Sequence, residues 1–149
     1  MLLGKLMKPL YLLFTVSFSL VAICATARAE AEVVVVVSSA NPVVSLKKSD
    51  VANIFLGKTS RFPNGERAVP INQLEGAAER NEFYDLYTGK SAAQLKAHWS
   101  KMIFTGRGQP PKEVGSLEEL KAALANNNEI VTYVEASMVG DGMKVVAVN

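Results

Sequence analysis

The sequence predicts a domain of the α/β class, with a central β-sheet covered by helices. Five consecutive valines at 33–37 form a β-branched run, which is typical of a strand buried on both faces. Two helices with clear start signals are predicted at 92–103 and 117–126. Further short apolar strands alternate with helical patterns along the chain, and this order indicates layers of helices on a sheet.

The first 29 residues have the pattern of a cleaved secretory signal. Lys5 and Lys8 precede an apolar run at 10–24, and Ala-Arg-Ala at 27–29 supplies small residues where a signal peptidase needs them. The run is too short for a comfortable membrane span followed by a stop-transfer signal. We therefore expect export to the periplasm.

The expected mature chain, residues 30–149, is long enough for one domain and lacks cysteine. Cys24 could instead be acylated, although Ile23 is a poor fit to a lipobox. Without cysteine, disulfides, thiolate nucleophiles and Cys-ligated metals are excluded. The mature chain has 13 basic and 14 acidic residues. Its net charge of −1 gives no reason to expect a nucleic-acid partner.

The elements after the first strand have identifiable boundaries. The stretch Ser-Ser-Ala-Asn-Pro at 38–42 ends that strand, because proline cannot donate to a ladder. Ser49 is expected to cap the next helix, with Asp50 in its first turn. The helix ends at Gly57, where a left-handed cap is expected. Its apolar face is formed by Val51, Ile54 and Phe55.

Pro-Asn-Gly at 63–65 predicts a tight turn before a short strand at 68–72. A helix at 79–87 follows, and we expect it to bury a stripe formed by Phe83, Leu86 and Tyr87.

The helix at 92–103 begins with a capping box, Ser91 with Gln94, and its apolar positions are Leu95, Trp99, Met102 and Ile103. Ser116 with Glu119 repeats this signal before the helix at 117–126. The Gly- and Pro-rich segment 105–111 between them is expected to be irregular. Two strands, at 130–135 and 143–148, close the chain.

The sequence offers little for catalysis. The one histidine, His98, lies in an amphipathic helix and is better explained as a boundary residue than as a base. Nucleophile elbow, HExxH, Walker and dinucleotide patterns are missing. The carboxylates are explained by helix starts, turns and a solvated helix face. We therefore expect no catalytic residue, no metal site and no cofactor.

A resemblance to a known family rests on three segments. Residues 54–65 read IFLGKTSRFPNG, a strand and a helix carrying Phe83 follow, and Trp99 begins the pattern WxxxxFxGxxxPP. This order resembles the substrate-binding subunit of phosphate ABC transporters, within the type 2 periplasmic solute-binding proteins. The likeness covers roughly residues 33–148. It implies the fold of a single lobe of such a protein.

The resemblance also implies where an anion would bind. The family's phosphate loop resembles Arg-Ser-Asp-Gly-Ser-Gly-Thr-Thr at a helix N-terminus. A gapless comparison places residues 73–80 on this loop and retains Gly76 as its glycine. Gln73 stands where the arginine is expected, and the hydroxyl donors are missing at Ala77 and Glu79.

These replacements should weaken phosphate binding, because charge-assisted hydrogen bonds are about twice as strong as neutral ones. Arg80 could restore a cation at the same helix start.

Two functions remain open at this stage. In the first, the protein binds phosphate or another small oxyanion for ABC-type transport, with a membrane transporter as partner. In the second, it is an interaction module of the cell envelope that kept the fold and lost tight anion binding. That module would dock on an envelope protein through the loops 58–67 and 105–112. The first function would use these candidate ligand-binding residues: Ser38, Ser39, Asn41, Gln73, Gly76 and Arg80.

Overall fold

The computed structural model describes residues 31–149, and the expected signal at 1–29, with Cys24, lies outside this range. The strands are β1 Val33–Ser38, β2 Ser45–Leu46, β3 Val69–Gln73, β4 Lys112–Val114, β5 Ile130–Glu135, β6 Met143–Val145 and β7 Ala147–Val148. The helices are α1 Lys48–Phe55, α2 Ala78–Thr88, α3 Ala92–Phe104 and α4 Leu117–Asn126, and a 3-10 turn spans Ala136–Met138.

Five strands form a mixed sheet in the order β4-β3-β5-β1-β6, while β2 and β7 pair separately. Strand β3 runs parallel to both β4 and β5, and β1 runs antiparallel to β5 and β6. The register pairs Val33 with Glu135 and Val37 with Val131. The carboxyl end of β1 therefore lies at the edge of the sheet where β3 and β5 begin.

The valine run is an interior strand buried on both faces, as the sequence predicts. Val35 and Val37 pack into an apolar cluster on the side of α1, α2 and α3, whereas Val36 packs into a second cluster on the side of α4. Helices on both faces of a sheet account for its continuous apolar sequence. The predicted α/β architecture, a central sheet covered by helices, is confirmed.

The capping residues predicted from the sequence are correct for α3 and α4 but not for α1. Ser91 and Gln94 form the predicted capping box of α3, and Ser116 caps α4 through the backbone N–H of Glu119 at 3.1 Å. For α1 the predicted cap is wrong. Ser49 lies inside that helix, and Asp50 accepts a hydrogen bond from the backbone N–H of Lys47 at 3.1 Å.

Two predicted strands and one predicted helix face also need correction. The strand predicted at 68–72 is β3 Val69–Gln73, and the final strand is interrupted at Val146. The two short strands β2 and β4 are missing from the prediction. Helix α2 buries Tyr84 beside Phe83 instead of Leu86, which is 47% exposed. The reason is that α2 packs against both the sheet and α1, which turns its buried face toward Tyr84 and away from Leu86.

Candidate functional site

The candidate site lies at the edge of the sheet where the parallel strands β3, β4 and β5 end. In α/β sheets this edge is the usual place for a ligand. Strand β3 ends at Gln73, a turn containing Gly76 at φ 90° follows, and α2 begins at Ala78. Its buried Arg80 lies in the first turn of α2. The structure thus brings together three predicted site residues: Gln73, Gly76 and Arg80.

The charge of Arg80 is compensated within the protein. Its Nη1 donates to the backbone oxygen of Gln73 at 2.9 Å and forms an ion pair with the carboxylate of Glu113 in β4. The Arg80 side chain is only 10% exposed. A buried guanidinium paired in this way has its charge compensated without a ligand. Arg80 therefore is not a free cation at the start of α2.

The side chain of Gln73 is also engaged. Its Nε2 donates to the backbone oxygen of Tyr133 at 3.2 Å, and its backbone N–H donates to the Tyr133 hydroxyl at 3.3 Å. The residue that replaces the arginine of the resembled phosphate loop thus ties β3 to β5. It offers no charge to an anion, and its amide group already donates one hydrogen bond to Tyr133.

Beneath this loop lies a buried polar network of Tyr84, Asn72 and Tyr133. Both hydroxyls donate to Asn72 Oδ1, from Tyr84 at 2.9 Å and from Tyr133 at 3.2 Å. The Asn72 Nδ2 group is buried without a protein partner. Burial raises the pKa of Tyr84 to about 12, although its hydrogen bond to Asn72 acts in the opposite direction. Burial likewise raises the pKa of Tyr133.

These shifts predict loss of stability in alkaline solution. The folded pKa values lie above the ordinary tyrosine value of about 10, so the unfolded chain releases protons first as the pH rises. The free energy of unfolding is retained below about pH 10. Above pH 10, each of the two tyrosines should lower it by about 1.4 kcal/mol per pH unit. Urea unfolding between pH 9 and 12 measures this slope.

Tyr84→Phe is the informative variant for that experiment, because it removes one ionisable group and keeps the ring. Its slope above pH 10 should be shallower than that of the wild-type protein. Equal slopes would contradict a role for Tyr84 in alkaline unfolding.

Two cavities flank the loop between β3 and α2. The first, of about 290 Å³, lies between this loop, α4 and the end of β5. Its charged lining residues are Glu79 and Glu135, and the other walls are largely apolar. Two carboxylates without a basic residue in the lining disfavour an anion. The remaining lining residues are Gln73, Leu74, Ala77, Val114, Gly115, Ser116, Leu117, Leu120, Val134 and Met138.

The second cavity, of about 220 Å³, lies between α2 and α3. Arg80 and Lys96 line it together with Glu75 and Glu113, so its formal charges balance. The Trp99 ring forms part of the wall, and its Nε1–H is buried without a protein partner. The remaining lining residues are Gly76, Asn81, Tyr84, Ala92, Leu95, Ser100, Ile103 and Pro110.

The other three predicted site residues lie at the opposite edge of the sheet. Ser38, Ser39 and Asn41 follow β1, whose carboxyl end meets the beginnings of β3 and β5. They therefore do not form one site with Gln73 and Arg80. The reason is that β1 is antiparallel to β5, whereas β3 is parallel to β5. The sequence does not show these strand directions.

The polar groups after β1 are largely used within the protein. The Ser38 hydroxyl donates to Asn128 Oδ1 at 3.3 Å, and Asn41 Nδ2 donates to the Asn128 backbone oxygen at 2.6 Å. Asn41 Oδ1 accepts from the Val43 backbone N–H at 2.8 Å. This is the arrangement of an Asx turn that reverses the chain. Ser39 is exposed.

Two further features bear on chemistry. His98 Nε2 lies 2.9 Å from the backbone oxygen of Leu56, so this histidine links α3 to the end of α1. Within residues 31–149, no cluster of three or more His, Cys, Asp or Glu side chains is placed to hold a metal ion. In the same range, none of the helices is long and apolar enough to span a bilayer.

The sequence does not predict a role for Glu113, the residue whose carboxylate pairs with the Arg80 guanidinium. Glu113 belongs to β4, which is three residues long and follows a Gly- and Pro-rich loop. Only the parallel pairing of β4 with β3 brings it beside Arg80. The sequence contains no local signal for that contact. Asn72 and Tyr133 were likewise missed as partners of Tyr84.

No protein-family model matches the chain, and no curated protein matches it. Several solved structures do match the chain. An ABC-type phosphate transport receptor from Vibrio cholerae matches with a TM-score of 0.61 at 17% identity, over 78% of this chain and 45% of the receptor.

A putative phosphate ABC transporter substrate-binding protein with bound phosphate, from Clostridium perfringens, matches with a TM-score of 0.61 at 18% identity, over 78% of this chain and 44% of that protein. PstS from Borrelia burgdorferi matches with a TM-score of 0.59 at 13% identity, over 78% and 47% of the two chains. The chain thus spans less than half the length of these proteins. It has the periplasmic binding protein fold seen in the substrate-binding proteins of phosphate ABC transporters.

Proposed function

We propose that this chain is an exported, non-enzymatic protein of the cell envelope that acts as an interaction module rather than as a phosphate carrier. Residues 1–29 would be its cleaved signal and residues 30–149 its functional domain, located in the periplasm. The solute-binding fold supports this proposal at the level of architecture. The observation that carries the choice between the two functions is the ion pair of Arg80 with Glu113.

The ion pair matters because Arg80 is the one basic residue on the loop and helix start that resemble a phosphate loop. To bind phosphate, Arg80 would have to leave Glu113 or bring the anion beside that carboxylate. Either route costs electrostatic free energy, since separating a buried ion pair exposes an uncompensated charge and like charges repel. The neighbouring Gln73 is neutral and already donates to the Tyr133 backbone oxygen, so it does not replace the missing charge.

Closure around a ligand also affects how tightly a free anion is held. Two-lobed receptors enclose a ligand by hinge motion between their lobes. This chain spans less than half the length of the matched receptors. Both cavities at the carboxyl edge are open to solvent, and neither is lined by a net positive charge. Tight retention of a small free anion by this domain alone is therefore disfavoured.

Oxyanion binding remains the second candidate, because one observation favours it. Arg80 and Lys96 both line the cavity between α2 and α3, and Lys96 has no carboxylate within 4 Å among residues 31–149. If Glu113 were neutral, these two cations could share an anion. Transport of phosphate or a related oxyanion with a membrane transporter would then be the function.

Thermal unfolding tests both candidates with one substitution. We expect phosphate and sulfate at fixed ionic strength to leave the midpoint of the wild-type protein unchanged. Glu113→Gln should release Arg80 from its partner and create an anion response. Ligand at ten times its Kd would raise the free energy of unfolding of that variant by about 1.4 kcal/mol.

Glu118→Gln is the matched control, because it removes one carboxylate from an exposed ion pair with Lys121 on α4. It should show no anion response. A saturable rise for the wild-type protein would favour the transport function instead. If Glu113→Gln folds and still fails to respond, Arg80 does not contribute an anion site even when it is released.

A further inference from the structure

Basic residues are concentrated in one part of an otherwise slightly acidic chain. Residues 86–112 contain five basic side chains and no aspartate or glutamate. This segment comprises the end of α2, the whole of α3 and the loop that leads to β4. A surface built from it is positive although the mature protein would carry a net charge of −1. Such a surface attracts anionic partners at a distance.

The most exposed large apolar side chain of the described residues lies on this segment. Phe104, the last residue of α3, is 92% exposed, and its neighbour Ile103 is 48% exposed. Phe104 follows the buried part of the helix and therefore projects from its end. An aromatic ring that stands in water on a folded protein is a candidate for contact with an apolar partner.

Several cations lie on α3 itself and on the loops after α1 and α3. A shallow groove between the loop after α1 and the loop after α3 is lined by Lys58, Arg61 and Arg107. Lys101 lies one turn before Phe104 on the same helix. None of these four side chains lies within 4 Å of a carboxylate in the part of the chain that the structure describes. Their positive charges are thus available to a partner.

Apart from Ile103, which also lines the cavity between α2 and α3, this surface is separate from the cavities near Arg80. Ala68 and Pro70, at the start of β3, line the groove, and the loop residues Gly108 and Gln109 precede β4. The groove therefore lies at the edge where the parallel strands begin, whereas the two cavities lie where they end. We call the six side chains Lys58, Arg61, Lys101, Ile103, Phe104 and Arg107 the basic surface.

We propose that the basic surface binds the anionic headgroups of a lipid bilayer, with Phe104 inserted into the interfacial region. This inference rests on the proposed envelope function and names its partner. Interfacial proteins combine apolar and aromatic side chains with lysine and arginine in this way. The basic residues would gain from negatively charged lipid, and the ring would leave water.

Two features favour a bilayer over a protein partner. Phe104 projects almost fully into solvent instead of lining a groove that a partner's side chain could fill. The charged side chains that line the groove, Lys58, Arg61 and Arg107, are all basic, whereas the polar rim of a protein interface usually presents complementary groups of both signs. The anionic surface of a bilayer therefore suits a protruding Phe104 ring with basic residues near it.

Vesicle flotation tests the proposal with the protein purified from expressing cells in its processed form. We expect binding to vesicles of phosphatidylethanolamine with phosphatidylglycerol and little binding to phosphatidylcholine vesicles. Raising the salt from about 0.05 M to about 0.5 M should release the protein, because the screening length falls several-fold. Phe104→Ala should weaken binding about tenfold, and Lys58→Ser with Arg107→Ser by at least as much.

Two matched variants control for surface hydrophobicity and for charge. Val145→Ala truncates a 46%-exposed apolar residue on the edge strand β6, and Lys121→Ser removes a base from α4 on the other face of the sheet. Both should bind as the wild-type protein does. Equal loss in these controls would overturn the assignment to the basic surface, as would equal binding to neutral and anionic vesicles.

A protein partner is the competing outcome. If the wild-type protein fails to float with anionic vesicles, but captures an envelope protein that the Lys58→Ser, Arg107→Ser variant does not capture, the lipid proposal is overturned. The proposed envelope function would survive that result. Saturable phosphate binding by the wild-type protein would instead contradict the proposed function. It would leave the flotation result unchanged.

Discussion

Phe83→Ala is expected to lower the free energy of unfolding by about 3–5 kcal/mol, the usual cost of removing a buried aromatic ring. Phe83 is fully buried in α2. Its ring stacks on Tyr133 at a centroid distance of 3.9 Å and meets Phe55 at 4.6 Å. The substitution therefore leaves a cavity where α1, α2 and the sheet meet.

Chemical denaturation measures this loss, and Leu86→Ala is the control. Leu86 lies on the same helix and is 47% exposed, so its truncation should cost much less. A loss below about 1 kcal/mol for Phe83→Ala would contradict the described core, because a ring in that position cannot be removed at the cost typical of a surface residue.

Gly57→Ala is expected to cost about 2–4 kcal/mol for two separate reasons. Gly57 has φ 70°, a conformation that side chains with a Cβ rarely adopt. A Cβ at this position would also lie 2.9 Å from Trp99 Cη2 and 3.2 Å from Trp99 Cζ3. The substitution strains the end of α1 and displaces the indole of α3.

Gly65→Ala separates these two costs. Gly65 has φ 89°, and a Cβ there would meet no atom within 4 Å. It should therefore cost only the backbone term of about 1–2 kcal/mol. Thermal or urea unfolding of both variants gives the difference. Equal losses would contradict the close packing of Trp99 on Gly57.

The elements that the sequence predicts well are those with local signals. Helix α4 matches its predicted bounds because Ser116 and Glu119 mark its start and leucines mark its face. Strand β5 matches its predicted bounds, 130–135, because β-branched and aromatic residues fill most of it. Strand β4 has no such signal, since its three residues form a strand only by pairing with β3. Non-local pairing of this kind is not readable from a short segment.

The candidate site was harder to predict than the fold, and strand direction is one cause. Ser38 and Gln73 both follow strands, so the sequence suggests that they could meet. Because β1 runs antiparallel to β5, they lie at opposite edges of the sheet. The other cause is sequence separation. Arg80 and Glu113 are 33 residues apart, and neither residue alone indicates the pair.

The Arg80–Glu113 pair also shows what the fold does and does not imply. The chain shares its architecture with an ABC-type phosphate transport receptor and with a putative phosphate substrate-binding protein that holds bound phosphate. At the helix start that resembles the phosphate loop, the only cation is held by a carboxylate of the same protein. Binding depends on the groups present at the site, not on the fold that carries them.

The most direct test of the proposed function is calorimetric titration of phosphate into the wild-type protein at fixed ionic strength. We predict no saturable heat at micromolar concentrations, because Arg80 is paired and the cavities carry no net positive charge. A Kd near 1 μM would correspond to a binding free energy of about −8.2 kcal/mol. Micromolar binding that is lost in Arg80→Ala would contradict the proposal and restore the transport function.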